Sequence, residues 1–153
     1  MLDLACGAGR HALAAAMLGA EVTAVDRDPS RLAIGRDAAR DLGLSITWLE
    51  WDLTGAEPPL GTFDTLLLFN YLDRDRLARM LQHLRPGGVL LMETFLEDQR
   101  EFDWGPTSAA HLLRRGELAS LVAPLRILHG REVLEPANGN RWSAVASIVA
   151  HKL

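Results

Sequence analysis

The sequence predicts an α/β fold: a doubly wound, mostly parallel sheet, covered by helices on both faces in a three-layer sandwich and ending in an antiparallel strand. Three observations carry that expectation. Short apolar runs alternate with helical stretches, the pattern of βαβ units, because parallel neighbours need a crossover and the crossover is right-handed. A Gly-x-Gly turn follows the first run and opens the first helix. Near the C-terminus two β-rich stretches flank Pro136-Ala137-Asn138-Gly139-Asn140, which is hairpin chemistry.

The first four runs occupy residues 2–6, 22–25, 46–49 and 65–69, short and continuous enough to be buried on both faces. Residues 11–18 read as a helix with Leu13, Ala16, Met17 and Ala20 on one stripe. Residues 29–42 read as a second helix that opens on Pro29 and closes at Gly43. A third helix is expected over 74–84, a turn at Arg85-Pro86-Gly87-Gly88, and a fifth strand over 89–95. Residues 97–114 are polar, carry Trp104-Gly105-Pro106 and show weak periodicity, so they read as a long excursion of the kind that is usually functional or disordered. A short helix over 116–122 and strands over 126–134 and 141–151 complete the chain.

At 153 residues, with 48% apolar and 24% charged side chains, the chain is one domain able to bury a core, and no repeat or linker divides it. Its net charge of -4 comes without the basic stripe that neutralises phosphates, so a small ligand is expected rather than nucleic acid. Residues 12–20, the longest uncharged run near the start, are too few to span a bilayer, and Asp3 opposes a signal peptide; no membrane partner and a cytoplasmic location are expected. The single Cys6 can form no disulfide within the chain. Five histidines without metal-ligand spacing give no expectation of a metal.

The sharpest chemical signal is Leu2-Asp3-Leu4-Ala5-Cys6-Gly7-Ala8-Gly9-Arg10. Glycines let the backbone press against a ligand, and the helix start offers unpaired N–H groups and a partial positive charge, so a nucleotide-like cofactor is the natural guest. Alone the turn is unspecific, since Gly7-Ala8-Gly9-Arg10-His11-Ala12 also satisfies the relaxed dinucleotide fingerprint. Asp26 ends the second strand, where strand carboxyl ends line the crevice of an open α/β sheet, and its carboxylate can accept both hydroxyls of a ribose. Asp28, just before Pro29, is better placed as a helix cap.

With these residues in view the chain resembles the class I S-adenosylmethionine-dependent methyltransferases, and more closely their small tellurite-resistance-type members. The resemblance spans nearly the whole chain. It rests on the glycine motif just quoted, on Ala24-Val25-Asp26, on Glu50-Trp51-Asp52-Leu53, on residues 63–71 ending in Phe69-Asn70-Tyr71, and on Leu84-Arg85-Pro86-Gly87-Gly88. It implies a Rossmann-like sheet of order 3-2-1-4-5-7-6 and S-adenosylmethionine as cofactor, with S-adenosylhomocysteine as product. It further implies that Asp3, Ala5, Gly7, Gly9, Arg10, Asp26, Arg27, Asp52, Leu53, Asn70 and Tyr71 bind that cofactor. Asp52 and the Leu53 backbone would meet the adenine, and Asn70 and Tyr71 would border the methionine end. Ala5 stands where many members carry glycine, a departure expected to be tolerated.

Transfer of a sulfonium methyl needs alignment more than acid or base chemistry, so the lack of an obvious triad is consistent with the reading. The acceptor is expected to be a small molecule. Tyr71, Glu93 and Trp104, at or beyond the ends of the fourth and fifth strands, are the acceptor-side candidates, and Glu93 in an apolar run calls for a polar partner. Residues 97–114 would form an acceptor lid. His11 reads as solvated or cofactor-adjacent, Cys6 as packing, and the mixed run Asp73-Arg74-Asp75-Arg76 as helix capping without a partner. Because the chain starts inside its first motif, it is expected to lack the family's usual N-terminal helical segment, to bind the cofactor more weakly, and to expose a sheet face that favours a homodimer. The competing readings are an NAD(P)-binding oxidoreductase domain, which leaves Asp52-Leu53 and the terminal hairpin unexplained, and a non-catalytic S-adenosylmethionine-binding fragment.

Overall fold

The computed structural model describes residues 1–153. The elements run β1 (Leu2–Leu4), α1 (Arg10–Met17), β2 (Val22–Asp26), α2 (Pro29–Asp41), β3 (Ile46–Glu50), β4 (Phe63–Phe69), α3 (Arg74–Met80), β5 (Leu84–Phe95), α4 (Glu117–Leu121), β6 (Arg126–Pro136) and β7 (Trp142–His151). All seven strands join one sheet in the order β3-β2-β1-β4-β5-β7-β6, the order the resemblance implied. Strands β1 to β5 are parallel, and β7 runs antiparallel to both β5 and β6. From β1 the chain builds outward through β2 and β3, then returns to place β4 on the other side of β1. The order therefore reverses between β1 and β4, where open α/β sheets keep their ligand crevice.

The core is asymmetric. Twenty-one buried residues, from Leu2 and Leu66 through Met92 to Ala150, form a large cluster that includes Leu77 of α3 and Leu118 of α4. A second cluster of four, Ala12, Ala15, Val22 and Ala24, joins α1 to β2. This corrects the stripe expected for α1: Met17 is 65% exposed and neighbouring Leu18 90%, while Ala12 and Ala15 are the buried pair. The turn at Gly9 sends the helix out with those two methyl-bearing residues toward Val22 and Ala24, and the larger side chains fall on the open side.

Trp48 of β3 explains two glycines. A Cβ on Gly9 would stand 2.4 Å from the indole Cη2, and one on Gly35 of α2 would stand 2.5 Å from it and 2.8 Å from the Ala8 carbonyl oxygen. The indole thus fills the space between the turn and α2, and Gly9 is doubly constrained because its φ is also +77°.

Two boundaries differ from expectation. The third helix stops at Met80 and tightens into a 3₁₀ turn over Leu81–His83, whose carbonyl at Leu81 is capped by the Lys152 ammonium at 3.1 Å. The expected turn at residues 85–88 is instead an irregularity within β5. Pairing with β4 shifts between Phe63 and Thr65 opposite it, and Gly87 donates to the Lys152 carbonyl at 2.7 Å. Phe63 to Phe69 and Trp142 to His151 fall within two residues of their expected bounds.

Residues 97–114 contain two short 3₁₀ turns, Glu97–Glu101 and Ala109–His111, and are firmly tied. Fully buried Gln99 donates to the Trp104 carbonyl and accepts the Ala144 amide, both at 2.9 Å. The charged run caps α3 as expected, Asp73 accepting the Arg76 amide at 3.1 Å, and Arg74 adds a tie within the chain: its guanidinium grips both Glu117 oxygens at 2.6 and 2.9 Å and donates to the Leu112 carbonyl at 2.7 Å. The ion pair holds the Glu117 carboxyl down at about 2.

Candidate functional site

A cavity of about 580 Å³ opens at the carboxyl ends of β1, β2 and β4. Beyond Leu4 the backbone must leave the sheet and turn sharply into α1, which places Ala5, Gly7 and Gly9 at φ of 54°, 58° and 77°. The turn is held against the end of β2 by Asp26. One oxygen of that carboxylate accepts the Gly7 amide at 2.7 Å and the other accepts the Asp28 amide at 2.9 Å. Each oxygen thereby keeps a lone pair for a further donor from the cavity. Asp28 itself caps α2 through the Ser30 amide at 2.9 Å, as expected, and the Ser30 hydroxyl and Arg31 amide hold its carboxyl below the usual range.

Of the expected cofactor residues, Ala5, Asp26, Arg27, Asp52, Leu53, Asn70 and Tyr71 line this cavity together. Asp52 is fixed by the Thr54 amide at 2.9 Å and hydroxyl at 2.7 Å, which keep it ionised below the usual carboxylate range. Asn70 sits at φ 55°, its amide donating to the Glu93 carbonyl at 2.8 Å, so β4 ends by turning its side chains into the crevice. Burial pushes the Tyr71 phenol above its ordinary pKa. It stays protonated at neutral pH, so it can donate or accept a hydrogen bond but carries no charge.

The remaining four residues lie elsewhere. Gly7 meets the site through its amide on Asp26. Gly9 faces Trp48 rather than the cavity. Arg10 lines a second cavity. Asp3 is buried beneath the turn, and its Oδ2 is the buried side-chain oxygen without a hydrogen-bond partner. Burial raises its pKa to about 7, partly opposed by the Ala12 amide. The second cavity, about 300 Å³, shares Asn70 and Phe95 with the first and is bounded by Arg10, Glu93, Trp104 and Arg141. Trp104 packs edge-on against Phe95 at 5.9 Å, and Glu93 finds the polar partner it called for in Arg131, at 3.4 Å.

Cys6 behaves as the packing residue expected: burial and the nearby Asp3 push its thiol up to about 12, so no thiolate is present at neutral pH. His11 stacks on Phe69 at 3.8 Å, with its pKa lowered by burial and by Arg10. Sequence reasoning missed Arg31, Pro106 and His111, which also line the first cavity. Arg31 could have been found, since side chains in the first turn of a helix lean back toward its N-terminus, here toward the glycine turn. Pro106 and His111 arrive from the long excursion and carry no local signal.

The sheet order, the glycine turn and the acidic end of β2 define a Rossmann-like domain that takes an adenosine-bearing cofactor. Residues 1–88 match the methyltransferase domain family. An ubiquinone biosynthesis O-methyltransferase from Methylocella silvestris is 33% identical over 118 residues, covering 74% of this chain and 46% of that protein. A ribosomal protein L11 methyltransferase from Marinobacter nauticus is 37% identical over 101 residues, covering 63% of this chain and 33% of that protein. Among solved structures, TehB from Haemophilus influenzae superposes with a TM-score of 0.82 at 21% identity over 99% of this chain and 57% of that one. An S-adenosylmethionine-dependent methyltransferase from Methanosarcina mazei does so with 0.80 at 20% identity, over 99% and 91%. These two structures share the fold. The chain belongs to the methyltransferase domain family, among the class I S-adenosylmethionine-dependent methyltransferases. It spans 46% of the length of the Methylocella silvestris relative and 33% of the Marinobacter nauticus one.

The cofactor this family implies is S-adenosylmethionine, and the residues present fit it. Asp26 holds two free lone pairs for a diol, Asp52 and Leu53 line the same cavity as Ala5, and the unpartnered Asp3 oxygen, two residues before Ala5, suits an ammonium. No helix is long and apolar enough to cross a membrane.

Proposed function

We propose that residues 1–153 act as a single domain that transfers a methyl group from S-adenosylmethionine to a small-molecule acceptor by in-line displacement, leaving S-adenosylhomocysteine. The observation that carries this reading is the Asp26 carboxylate, locked by two backbone amides with its remaining lone pairs toward a cavity that also holds Asp52, Asn70 and Tyr71. When bound, the cofactor supplies a methyl group already activated by its positive sulfur. Asp26 would bind the ribose hydroxyls, with Arg27 beside it. Asp52 and the Leu53 backbone would bind the adenine. Gly7 leaves room for the backbone to approach, and Asn70 and Tyr71 would border the methionine end. Asp3 would receive the ammonium. What remains for the chain is to orient the acceptor and exclude water, a task for Tyr71, Trp104 and residues 97–114.

Curated relatives named as O-methyltransferases support an oxygen atom as the methyl acceptor. The test is a pair of calorimetric titrations. S-adenosylhomocysteine is expected to bind and NADH not to bind; binding of NADH alone would overturn the assignment.

A further inference from the structure

Four charged side chains line the 300 Å³ cavity beyond Asn70 and Phe95: Arg10, Glu93, Glu135 and Arg141. The two acids are engaged. Arg131 reaches Glu93 at 3.4 Å and Glu135 at 2.8 Å, while its Nε donates to the Ser147 hydroxyl at 2.9 Å. The two lining arginines form no salt bridge. Arg141 lies over the Trp104 ring, 5.7 Å from its centroid, which orients the guanidinium without neutralising it. The Arg10 guanidinium stands 3.5 Å from the His11 ring, and that ring is stacked on Phe69. One Arg131 serves both acids, so with Arg10 and Arg141 the cavity and its brace carry three guanidinium groups against two carboxylates, a net positive charge beside the cofactor site in a chain of net charge -4. Their planar fork is matched by a carboxylate.

The same inventory shows both acids of this cavity engaged by Arg131. Glu93 and Glu135 are held by Arg131, and the other polar side chains, Asn70, Asn138 and Ser143, are not bases at neutral pH. A carboxylate has no proton to lose, whereas an alcohol would have to pass one to Glu93 or Glu135, already engaged by Arg131, or to His111 in the adjoining cavity.

Resting on the methyltransferase reading, we propose that the acceptor is a small carboxylic acid, bound as its carboxylate between Arg10 and Arg141 and methylated on a carboxylate oxygen. The step balances without a base. An oxygen lone pair forms the bond to the methyl carbon, and the carbon–sulfur bond breaks with its electrons passing to sulfur. The positive sulfonium becomes a neutral thioether, the carboxylate becomes a neutral methyl ester, and no proton is taken up or released. The ester has lost the charge that held it to the arginines, so product release is built into the chemistry.

The test uses the whole chain with benzoate, butyrate, benzyl alcohol and benzylamine. The carboxylates are expected to bind the S-adenosylhomocysteine complex, and labelled methyl is expected to appear as ester, with no proton release to a pH indicator. Arg141→Gln should raise the KM for the carboxylate at least tenfold while S-adenosylhomocysteine affinity stays within twofold, and Arg141→Lys should recover part of the loss. Arg141→Met, which keeps apolar contact with Trp104, replaces the glutamine variant if thermal melts show a loosened hairpin. Three results would overturn the proposal: carboxylates that neither bind nor turn over, one proton released per methyl transferred, or a KM indifferent to residue 141. Failure of the unmodified chain to bind S-adenosylhomocysteine is read in a separate titration without acceptor, and it would remove the methyltransferase reading along with this one.

Discussion

The Asp26 carboxylate and the Gly7 amide, 19 residues apart in sequence, meet at 2.7 Å and clamp the turn after β1 to the end of β2. A side chain that reads as a ligand group is thus also a structural brace, and the two duties are separable only by measurement. Asp26→Asn keeps the shape but trades one accepting oxygen for a donor facing a backbone N–H. Charge-assisted hydrogen bonds are each worth roughly 1.5–3 kcal/mol, so S-adenosylhomocysteine affinity should fall about 10- to 100-fold by calorimetry. The melting temperature should also fall; a melt unchanged beside lost binding would mean that the brace contributes nothing.

Ala5 occupies the left-handed region at φ 54°, where a Cβ costs roughly 1–2 kcal/mol. Part of that is recovered in a glycine's larger unfolded-state entropy, leaving an expected gain of about 0.5–1 kcal/mol for Ala5→Gly. In a domain of this size the melt should rise by roughly 2–4 °C per kcal/mol gained, and a lower melting temperature would contradict the strain.

Asp3 gives the stability a pH dependence of definite sign. Its pKa is raised from 3.8 to about 7 in the folded chain, so folding binds a proton between those values. Stability from this group is fully present below pH 3.8 and is lost as pH rises through about 7, by an amount on the order of 4 kcal/mol. Asp3→Asn should flatten that slope in urea unfolding at pH 5 and pH 8, and it should weaken S-adenosylhomocysteine binding by removing the partner for its ammonium. Binding to the unmodified chain at pH 7 should release protons, visible as a buffer-dependent calorimetric enthalpy.

Gly35→Ala places a methyl group 2.5 Å from the Trp48 ring and 2.8 Å from the Ala8 carbonyl oxygen. Overpacking of this kind costs about 1–3 kcal/mol. Trp48→Leu in the same chain should relieve only part of it, because the Ala8 oxygen stays in place; denaturant midpoints of the two variants measure the difference.

Gln99→Leu leaves the Ala144 amide and the Trp104 carbonyl without partners. That costs about 1–3 kcal/mol locally and should open residues 97–114 to protease. Faster cleavage after Phe102 or Trp104 is the expected outcome, with S-adenosylhomocysteine affinity reduced because Pro106 and His111 of this segment line the same cavity.

The glycine turn is legible because a sharp strand-to-helix turn is written in consecutive residues, Leu2 to Arg10, whereas the strand order comes only from the family resemblance that several such motifs carry together. Asp26 was legible because its place follows from where the second strand ends. Trp48 and Arg74 were not. Trp48 reads as one more apolar strand residue until Gly9 and Gly35 are seen to converge on it, and Arg74 reads as part of a cap until Glu117 arrives from a distant helix. The α1 stripe failed because helical periodicity gives a face but does not say that only methyl-sized groups meet β2 there. Arg10 enters the cofactor set only through the resemblance, and in the structure it lines the adjoining cavity.

Strand β1 has three residues and lies inside the sheet, third of seven, paired on one side with residues 23–25 and on the other with 66–68. The β6–β7 hairpin needs only its own turn and can form within about 1–10 μs, while β1 must wait for a long crossover to deliver β4. The ligand crevice is thus the late-assembling part of the molecule on refolding. A saturating adenosine ligand should slow unfolding more than any substitution in the hairpin, and the protein's working lifetime will follow the supply of its own methyl donor.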